Sequence, residues 1–289
     1  MSLTTILRIG SASWNGDMTT YLIIGGAGKT GRRIADRLTA RGETPRLASR
    51  SSRPAFDWNA DPDTWTAVLD GVDAAYISYY PDLAFPGAAE SIRAFAERAA
   101  AAGVQRLVLL SGRGEEEAEI SERGVTESGV DWTVLRCNWF AQDFSEHFLL
   151  PPVLDGVIAL PTDAPEPFVD VEDVADVAVA ALTGDGHAGR IYVLSGPRPV
   201  TFSEAAADIT AASGRPVRFE RVTAEECTRR LVASGMDRAE AEELTDLFAR
   251  VLDGRNVQVS DDVKRVTGHD ARDFADYVRR TAATGVWAP

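Results

Sequence analysis

Tyr21-Leu22-Ile23-Ile24-Gly25-Gly26-Ala27-Gly28-Lys29-Thr30-Gly31-Arg32-Arg33-Ile34 is the stretch that decides the fold of this chain. An apolar strand runs into a glycine turn and then into the start of an amphipathic helix. Gly26-x-Gly28-x-x-Gly31 has the spacing of a dinucleotide fingerprint. Its glycines let the backbone turn sharply and bring N–H groups close to a pyrophosphate at a helix N-terminus. The spacing alone is a weak signal, and its context strengthens it. Leu22 to Ile24 form a short apolar run, as a buried parallel strand should. Ile34 and Leu38 stand at i and i+4, so the helix can pack on the sheet, and Gly42 ends it. A triphosphate loop, suggested by Gly28-Lys29-Thr30, needs glycine at position 23, which is Ile. A structural glycine turn without a ligand is the remaining alternative. The strand–turn–helix context favours cofactor binding by Gly25, Gly26, Gly28, Lys29, Thr30 and Gly31.

The chain has 289 residues, 45% of them hydrophobic, enough for one large or two modest domains. A formal net charge of −14 opposes nucleic acid and anionic membrane surfaces as partners. No apolar run approaches the ~20 residues that span a bilayer. The two cysteines, Cys137 and Cys227, supply neither a disulfide framework nor metal spacing. A reduced cytoplasmic setting is the expectation. Residues 1–17 precede the first strand without the features of a signal peptide and are expected to be an N-terminal extension.

Strand and helix patterns alternate up to about residue 150. Strands are expected at Arg46–Ser49, Ala74–Tyr79, Arg106–Ser111 and Trp132–Arg136, with helices over Gly87–Ala102 and from about Glu115. Arg190–Ser195 is expected to join the same sheet after a helix over Glu172–Leu182. This predicts an α/β fold: a Rossmann, doubly wound parallel sheet with helices on both faces. The Rossmann domain is assigned to 18–150 and 170–197. Residues 151–169 and 198–289 are assigned to a smaller, mainly helical C-terminal substrate lobe. Its helices are expected from Ser203 as N-cap to Ala212, then near 224–234, 238–253 and 271–283. Right-handed crossovers bring the loops after the strands to one edge, where ligands bind.

An NAD site usually carries an acid at the end of the second strand. Here Ala48-Ser49-Arg50-Ser51-Ser52-Arg53 has none, but has two guanidiniums and three hydroxyls. Arg50 and Arg53 can pair with a 2′-phosphate, and Ser49 adds a donor. NADP(H) is therefore expected, with NAD(H) left open; solvated loop charges are the alternative. Asp57 is placed at the adenine edge.

Gly25-Gly-Ala-Gly-Lys-Thr-Gly-Arg-Arg-Ile34, Phe56-Asp-Trp58, Tyr80-Pro-Asp-Leu83, Leu109–Glu117, Trp139-Phe-Ala-Gln142 and Pro167-Phe-Val-Asp170 together resemble the NmrA-like group of atypical short-chain dehydrogenases/reductases. Within it the chain is most similar to the ergot-alkaloid-type reductases. The resemblance covers about Thr20 to Val222. It implies a Rossmann fold, NAD(P)(H) binding and a small substrate lobe. It also implies one of two functions. Members include NADPH-dependent quinone or iminium reductases, and redox sensors that act through a protein partner without turnover.

Ordinary short-chain dehydrogenases use Tyr-x-x-x-Lys, whose lysine lowers the tyrosine pKa for proton exchange with a carbonyl oxygen. The six tyrosines, at 21, 76, 79, 80, 192 and 277, have no lysine four residues on. Alcohol oxidation by that route is excluded, whereas hydride addition to an iminium, quinone or enone remains open. An iminium carbon needs no proton, and a quinone can be protonated by solvent. Ser111 ends its strand where the group carries a serine. Tyr79 and Tyr80 follow the preceding strand and are expected beside the nicotinamide ribose. Ser111, Tyr80 and His147 are the candidate catalytic groups. A loop position without function is the alternative for His147. Asn138, Trp139, Phe140, Phe144 and Phe168 are candidate substrate contacts. For the aromatics, core packing is the alternative, since Phe140, Phe144 and Phe148 repeat every four residues. No metal site is expected, because His187 and His269 lack ligand spacing. Asp170, Glu172 and Asp173 are read as a helix start.

Overall fold

A computed structural model describes residues 19–288, so the expected extension at 1–17 lies outside the described residues. The chain begins with β1 (Tyr21–Ile24), α1 (Lys29–Ala40) and β2 (Arg46–Ala48). A 3-10 turn at Pro62–Trp65 leads into α2 (Thr66–Leu69), then β3 (Ala74–Ile77), α3 (Ala88–Ala101) and β4 (Arg106–Gly112). There follow α4 (Glu116–Thr126), β5 (Asp131–Cys137), α5 (Asp143–Glu146), α6 (Leu150–Leu154), β6 (Val157–Leu160), α7 (Val171–Thr183) and β7 (Arg190–Leu194). Six strands form one parallel sheet in the order β2-β1-β3-β4-β5-β7. The order reverses between β1 and β3, which opens a crevice at their C-terminal ends. The apolar strands have cover on both faces. Leu22, Ile24, Ala75 and Leu107 pack with Ile92 and Phe95 of α3. Ile23, Tyr76 and Val108 pack with Ile34 of α1 and Val174 of α7. The helix expected at Glu172–Leu182 starts where Asp170 accepts the Glu172 N–H at 2.9 Å.

The chain closes with α8 (Phe202–Ser213), β8 (Arg218–Arg221), α9 (Ala224–Ala233), α10 (Arg238–Val251), α11 (Asp262–Thr267) and α12 (Phe274–Ala283). Three details differ from the sequence expectations. The N-cap of α8 is Thr201, in a capping box with Glu204, and Ser203 bonds to Asp163 instead. β6 and β8 form a second, two-stranded parallel sheet that was not expected. Each strand has only four residues, and the partners lie some 60 positions apart, so neither shows a period. α11 was also not expected, and it packs on α7, placing Val263 in the same core as Val174.

The lobe core centres on Phe144, Phe168, Phe202 and Phe274. The Phe144–Phe168 and Phe168–Phe202 ring centroids lie 5.4 and 5.3 Å apart. No helix of the described residues is long and apolar enough to cross a membrane.

Candidate cofactor and substrate site

A cleft of about 620 Å³ runs from the glycine turn, across the ends of β3, β4 and β5, to the inner face of α10. That volume suits a small-molecule ligand. At its first end Gly25 adopts φ +73°, and its N–H donates to the Ala48 carbonyl at 3.1 Å. Gly28 caps α1 without a side-chain bond, and the first turn of α1 holds no acid. The helix N-terminus thus presents N–H groups and a positive dipole end to the cleft. Gly26 and Gly31 do not line the cleft. Their role is clearance: a Cβ on Gly31 would lie 2.3 Å from the Gly25 oxygen, and one on Gly26 2.9 Å from the Leu47 Cβ. Thr30 is buried, and its Oγ1 accepts the Tyr76 hydroxyl at 2.9 Å.

The basic residues of α1 are internally paired. Lys29 reaches Asp143 at 2.6 Å and lies over the Phe140 ring. Arg32 and Arg33 bond Glu146, and Arg37 bonds Glu172 at 2.7 Å and Asp176 at 2.6 Å. This ties α1 to α5 and α7.

At the end of β2, Ser49, Arg50 and Asp57 all line the cleft, with Trp58 beside them. Arg50 is exposed and forms no ion pair among the described residues. Arg53 is a correction. The turn over Ser49–Pro54, held by Ser52 Oγ donating to the Ser49 and Pro54 carbonyls, leaves Arg53 exposed and away from the cleft.

The candidate catalytic groups line the cleft, yet none is set as a proton donor. Ser111 donates its hydroxyl at 2.7 Å to Glu122, a buried carboxylate that Arg136 also holds. Its proton is committed beneath the sheet edge. Tyr80 is 62% exposed and donates to Glu240 of α10 at 3.1 Å, bridging the mouth of the cleft. Burial and then the Glu240 charge hold its phenol above the ordinary value, the reverse of what a neighbouring lysine does. Burial and then the Lys29 ammonium hold His147 below the ordinary imidazole value, so it is mostly neutral at pH 7. Tyr79 packs against Trp58 on the cleft wall, the ring centroids 5.0 Å apart and the planes tilted by 50°.

Among the candidate substrate contacts, Asn138, Trp139 and Phe140 line the cleft. Phe144 and Phe168 are corrections. They are 0% and 2% exposed and belong to the lobe core, which for Phe144 the four-residue spacing equally allowed. Asn138 is itself buried. Its Oδ1 accepts from Arg113 at 3.0 Å, and its Nδ2 donates to Glu166 at 2.7 Å and to the Asn256 carbonyl at 3.2 Å. Phe148, between α5 and α6, and Met236, Leu244 and Leu247 around α10 complete an aromatic and aliphatic chamber.

Sequence reasoning missed four acidic or basic groups of this chamber. Glu166 is 2% exposed, and burial pushes its carboxyl up to about 7. Glu115 is folded against Gly112, its Oε2 buried without a hydrogen-bond partner among the described residues. Burial, then the nearby Asp82 carboxylate, raises Glu115 well above the usual range. Arg113 spans the floor, donating to the Gln258 carbonyl at 2.6 Å. The Glu115 run reads as a solvated helix start, and no local pattern marks Glu166 in its proline-rich loop. Away from the cleft, Asp173, Asp176 and His269 converge, but Arg272 bonds both acids and Arg37 bonds Asp176. Those guanidiniums supply the charge a cation would otherwise bring.

The description NAD(P)H-binding belongs to the family whose model matches residues 25–185. An agroclavine dehydrogenase of Claviceps fusiformis is 32% identical over 278 residues, 90% of this chain and 96% of that protein. A (4-alkanoyl-5-oxo-2,5-dihydrofuran-3-yl)methyl phosphate reductase of Streptomyces griseus is 34% identical over 277 residues, 89% and 95% of the two chains. Among solved structures, the triphenylmethane reductase of Citrobacter sp., complexed with NADP(H), superimposes with a TM-score of 0.75 at 20% identity. That match covers 91% of this chain and 99% of the other. Sequence, sheet order and glycine turn agree: the chain belongs to the NAD(P)H-binding family and is an NAD(P)H-dependent oxidoreductase.

Proposed function

We propose that the chain is an NADPH-dependent reductase of a small, planar, electron-poor organic acceptor of iminium, quinone or enone type. The observation that carries this reading is the chamber beyond the glycine turn. A protein that only senses the cofactor needs no such space, whereas here Trp139, Phe148, Met236, Leu244 and Leu247 frame an open volume next to the ends of β4 and β5. The relatives' names, a dehydrogenase and two reductases, one of them solved with NADP(H), support the same class.

The residues present fit the cofactor. Gly25 and Gly28 line the cleft, Gly26 and Gly31 let the turn close tightly against Leu47 and α1, and the uncapped α1 N-terminus suits a pyrophosphate. Ser49 and Arg50, at the end of β2, would hold the 2′-phosphate of NADP, and Asp57 and Trp58, on the same part of the cleft wall, the adenosine end. When bound, NADPH supplies a hydride to the acceptor. The chain's residues bind, orient and exclude water, which is how such a site accelerates transfer. Trp139 and Phe148, edge to face with centroids 6.2 Å apart, give a planar acceptor an aromatic wall, and α10 closes the apolar side. No Tyr-x-x-x-Lys pair takes part.

The test is titration with NADPH and NADH, followed by a panel of quinones, enones and cyclic iminium ions. NADPH consumption with at least one class is expected, and consumption with none would refute the reading. In the same assay Arg50→Glu removes a charge-assisted bond worth roughly 1.5–3 kcal/mol. NADPH should bind roughly 10- to 100-fold more weakly, with NADH changed by less than about threefold. Equal losses for both cofactors would remove Arg50 from the 2′-phosphate site.

A further inference from the structure

Glu166 holds a position unlike that of any other acid in the cleft. Its backbone is pinned on both sides, exchanging N–H···O bonds of 3.0 Å with Val200. Its Oε1 accepts from Asn138 Nδ2 at 2.7 Å and from the Trp139 N–H at 3.2 Å. Among the described residues its other oxygen, Oε2, has no hydrogen-bond partner, and it is not sealed from the cleft as the Glu115 Oε2 is. The carboxyl therefore sits beside Trp139 in the cleft wall, with one oxygen held by the protein and the other without a partner among the described residues.

We infer that Glu166 is the proton donor of the reduction, delivering the Oε2 proton to a neutral acceptor such as a quinone or enone. The inference rests on the reductase reading above. Hydride from the dihydronicotinamide forms the new C–H bond and displaces the acceptor's π electron pair onto its oxygen. That oxygen takes the proton as the Glu166 O–H bond breaks. The resulting carboxylate keeps its bonds to Asn138 and Trp139, with the Arg113 charge nearby, and is reprotonated from water. The reduced product carries one hydrogen from the cofactor and one from Glu166. A cationic acceptor differs, since the hydride alone makes its product neutral.

The surroundings keep this proton available near neutrality. Burial of the carboxyl outweighs the two hydrogen bonds and the Arg113 charge, and raises Glu166 to about 7. Arg113 and Glu115 face it from the loop after β4. Lys29 of α1, Asp143 and His147 after β5, and Glu240 of α10 also line the cleft, Lys29 and Asp143 neutralise each other, and Arg32, Arg50, Asp57, Asp82 and Glu146 stand along the rest of its wall. The donor is present below about pH 7 and is lost as pH rises through that value.

The experiment compares the full-length protein with Glu166→Gln, which keeps an acceptor oxygen for Asn138 and Trp139. NADPH oxidation is followed from about pH 5.5 to about pH 9 with a neutral quinone and with a preformed N-alkyl iminium ion. With the quinone, wild-type kcat should fall roughly tenfold per unit above about pH 7. Glu166→Gln should be lower by roughly 10²- to 10³-fold at about pH 6, without that pH dependence. With the iminium ion the two proteins should agree within about twofold. Infrared difference spectra between about pH 6 and about pH 8 should show a carboxylic-acid band that Glu166→Gln lacks. A variant that keeps the wild-type quinone rate and pH profile would overturn the assignment while leaving the reductase reading intact. Equal losses with both acceptors would mark Glu166 as structural and overturn it too. A wild type that reduces neither acceptor would overturn the assignment together with the reading beneath it.

Discussion

Gly31→Ala is expected to destabilise the protein by roughly 1–3 kcal/mol and to weaken NADPH binding at least tenfold. Helix propensity alone predicts the opposite, a gain of about 1 kcal/mol, because Gly31 lies within α1 and alanine is the better helix former. Packing decides the sign. The added methyl would stand 2.3 Å from the Gly25 oxygen, 2.8 Å from its carbonyl carbon and 2.9 Å from the Gly26 Cα. All three are backbone atoms, so no side chain can swing aside. Either α1 moves off the end of β1 or the turn at Gly25–Gly28 deforms. Both displace the N–H groups that would hold the pyrophosphate. Thermal unfolding and NADPH titration on the same preparation check this. A raised melting temperature with unchanged affinity would show that the helix is not pressed against the turn.

Phe144→Ala is expected to cost about 3–5 kcal/mol, the usual range for emptying a packed aromatic site. In a chain of this size that lowers the melting temperature by roughly 10 °C. Phe144 is 0% exposed, its ring touches Phe168 and Phe274, and its carbonyl accepts the Trp287 indole N–H at 2.9 Å. Removing the ring would leave a void shared by α5, α8 and α12, with no solvent path to fill it. NADPH affinity and the ranking of acceptors should survive, since Phe144 does not reach the cleft. Trp139→Ala should differ in altering acceptor KM, since Trp139 lines the cleft while it also packs 5.2 Å from Phe248. If Phe144→Ala instead changed acceptor preference with an unmoved melting temperature, its placement in the lobe core would be wrong.

This contrast shows what the sequence made legible. The sheet could be read strand by strand up to β5 and again at β7, because buried parallel strands are continuous apolar runs set between glycine turns. The cofactor end was legible for a related reason: Gly25 to Gly31 and Ser49–Arg50 are contiguous and act through backbone and charge. The acceptor end is assembled differently. Trp139 and Phe144 come from one short segment, yet one faces the cleft and the other the core, because α5 is a single turn without a stable period. Glu166 gains its meaning only from Asn138 and Trp139, nearly thirty residues earlier, and from burial that no local pattern announces. Arg53 looked equivalent to Arg50 until the Ser49–Pro54 turn separated them. Residues whose role comes from neighbours close in sequence were readable, and those whose role comes from distant partners were not.

The pairing of the α1 cations has a consequence for ionic strength. Lys29, Arg32 and Arg33 already face Asp143, Glu146 and Glu172, so they bring almost no net charge to the pyrophosphate. Attraction there comes from oriented peptide dipoles at short range, which mobile ions screen poorly. Arg50, exposed and without an ion-pair partner among the described residues, is the site's long-range electrostatic handle. Added salt should therefore erode the protein's discrimination between the phosphorylated and unphosphorylated dinucleotides while leaving its grip on their common core nearly intact.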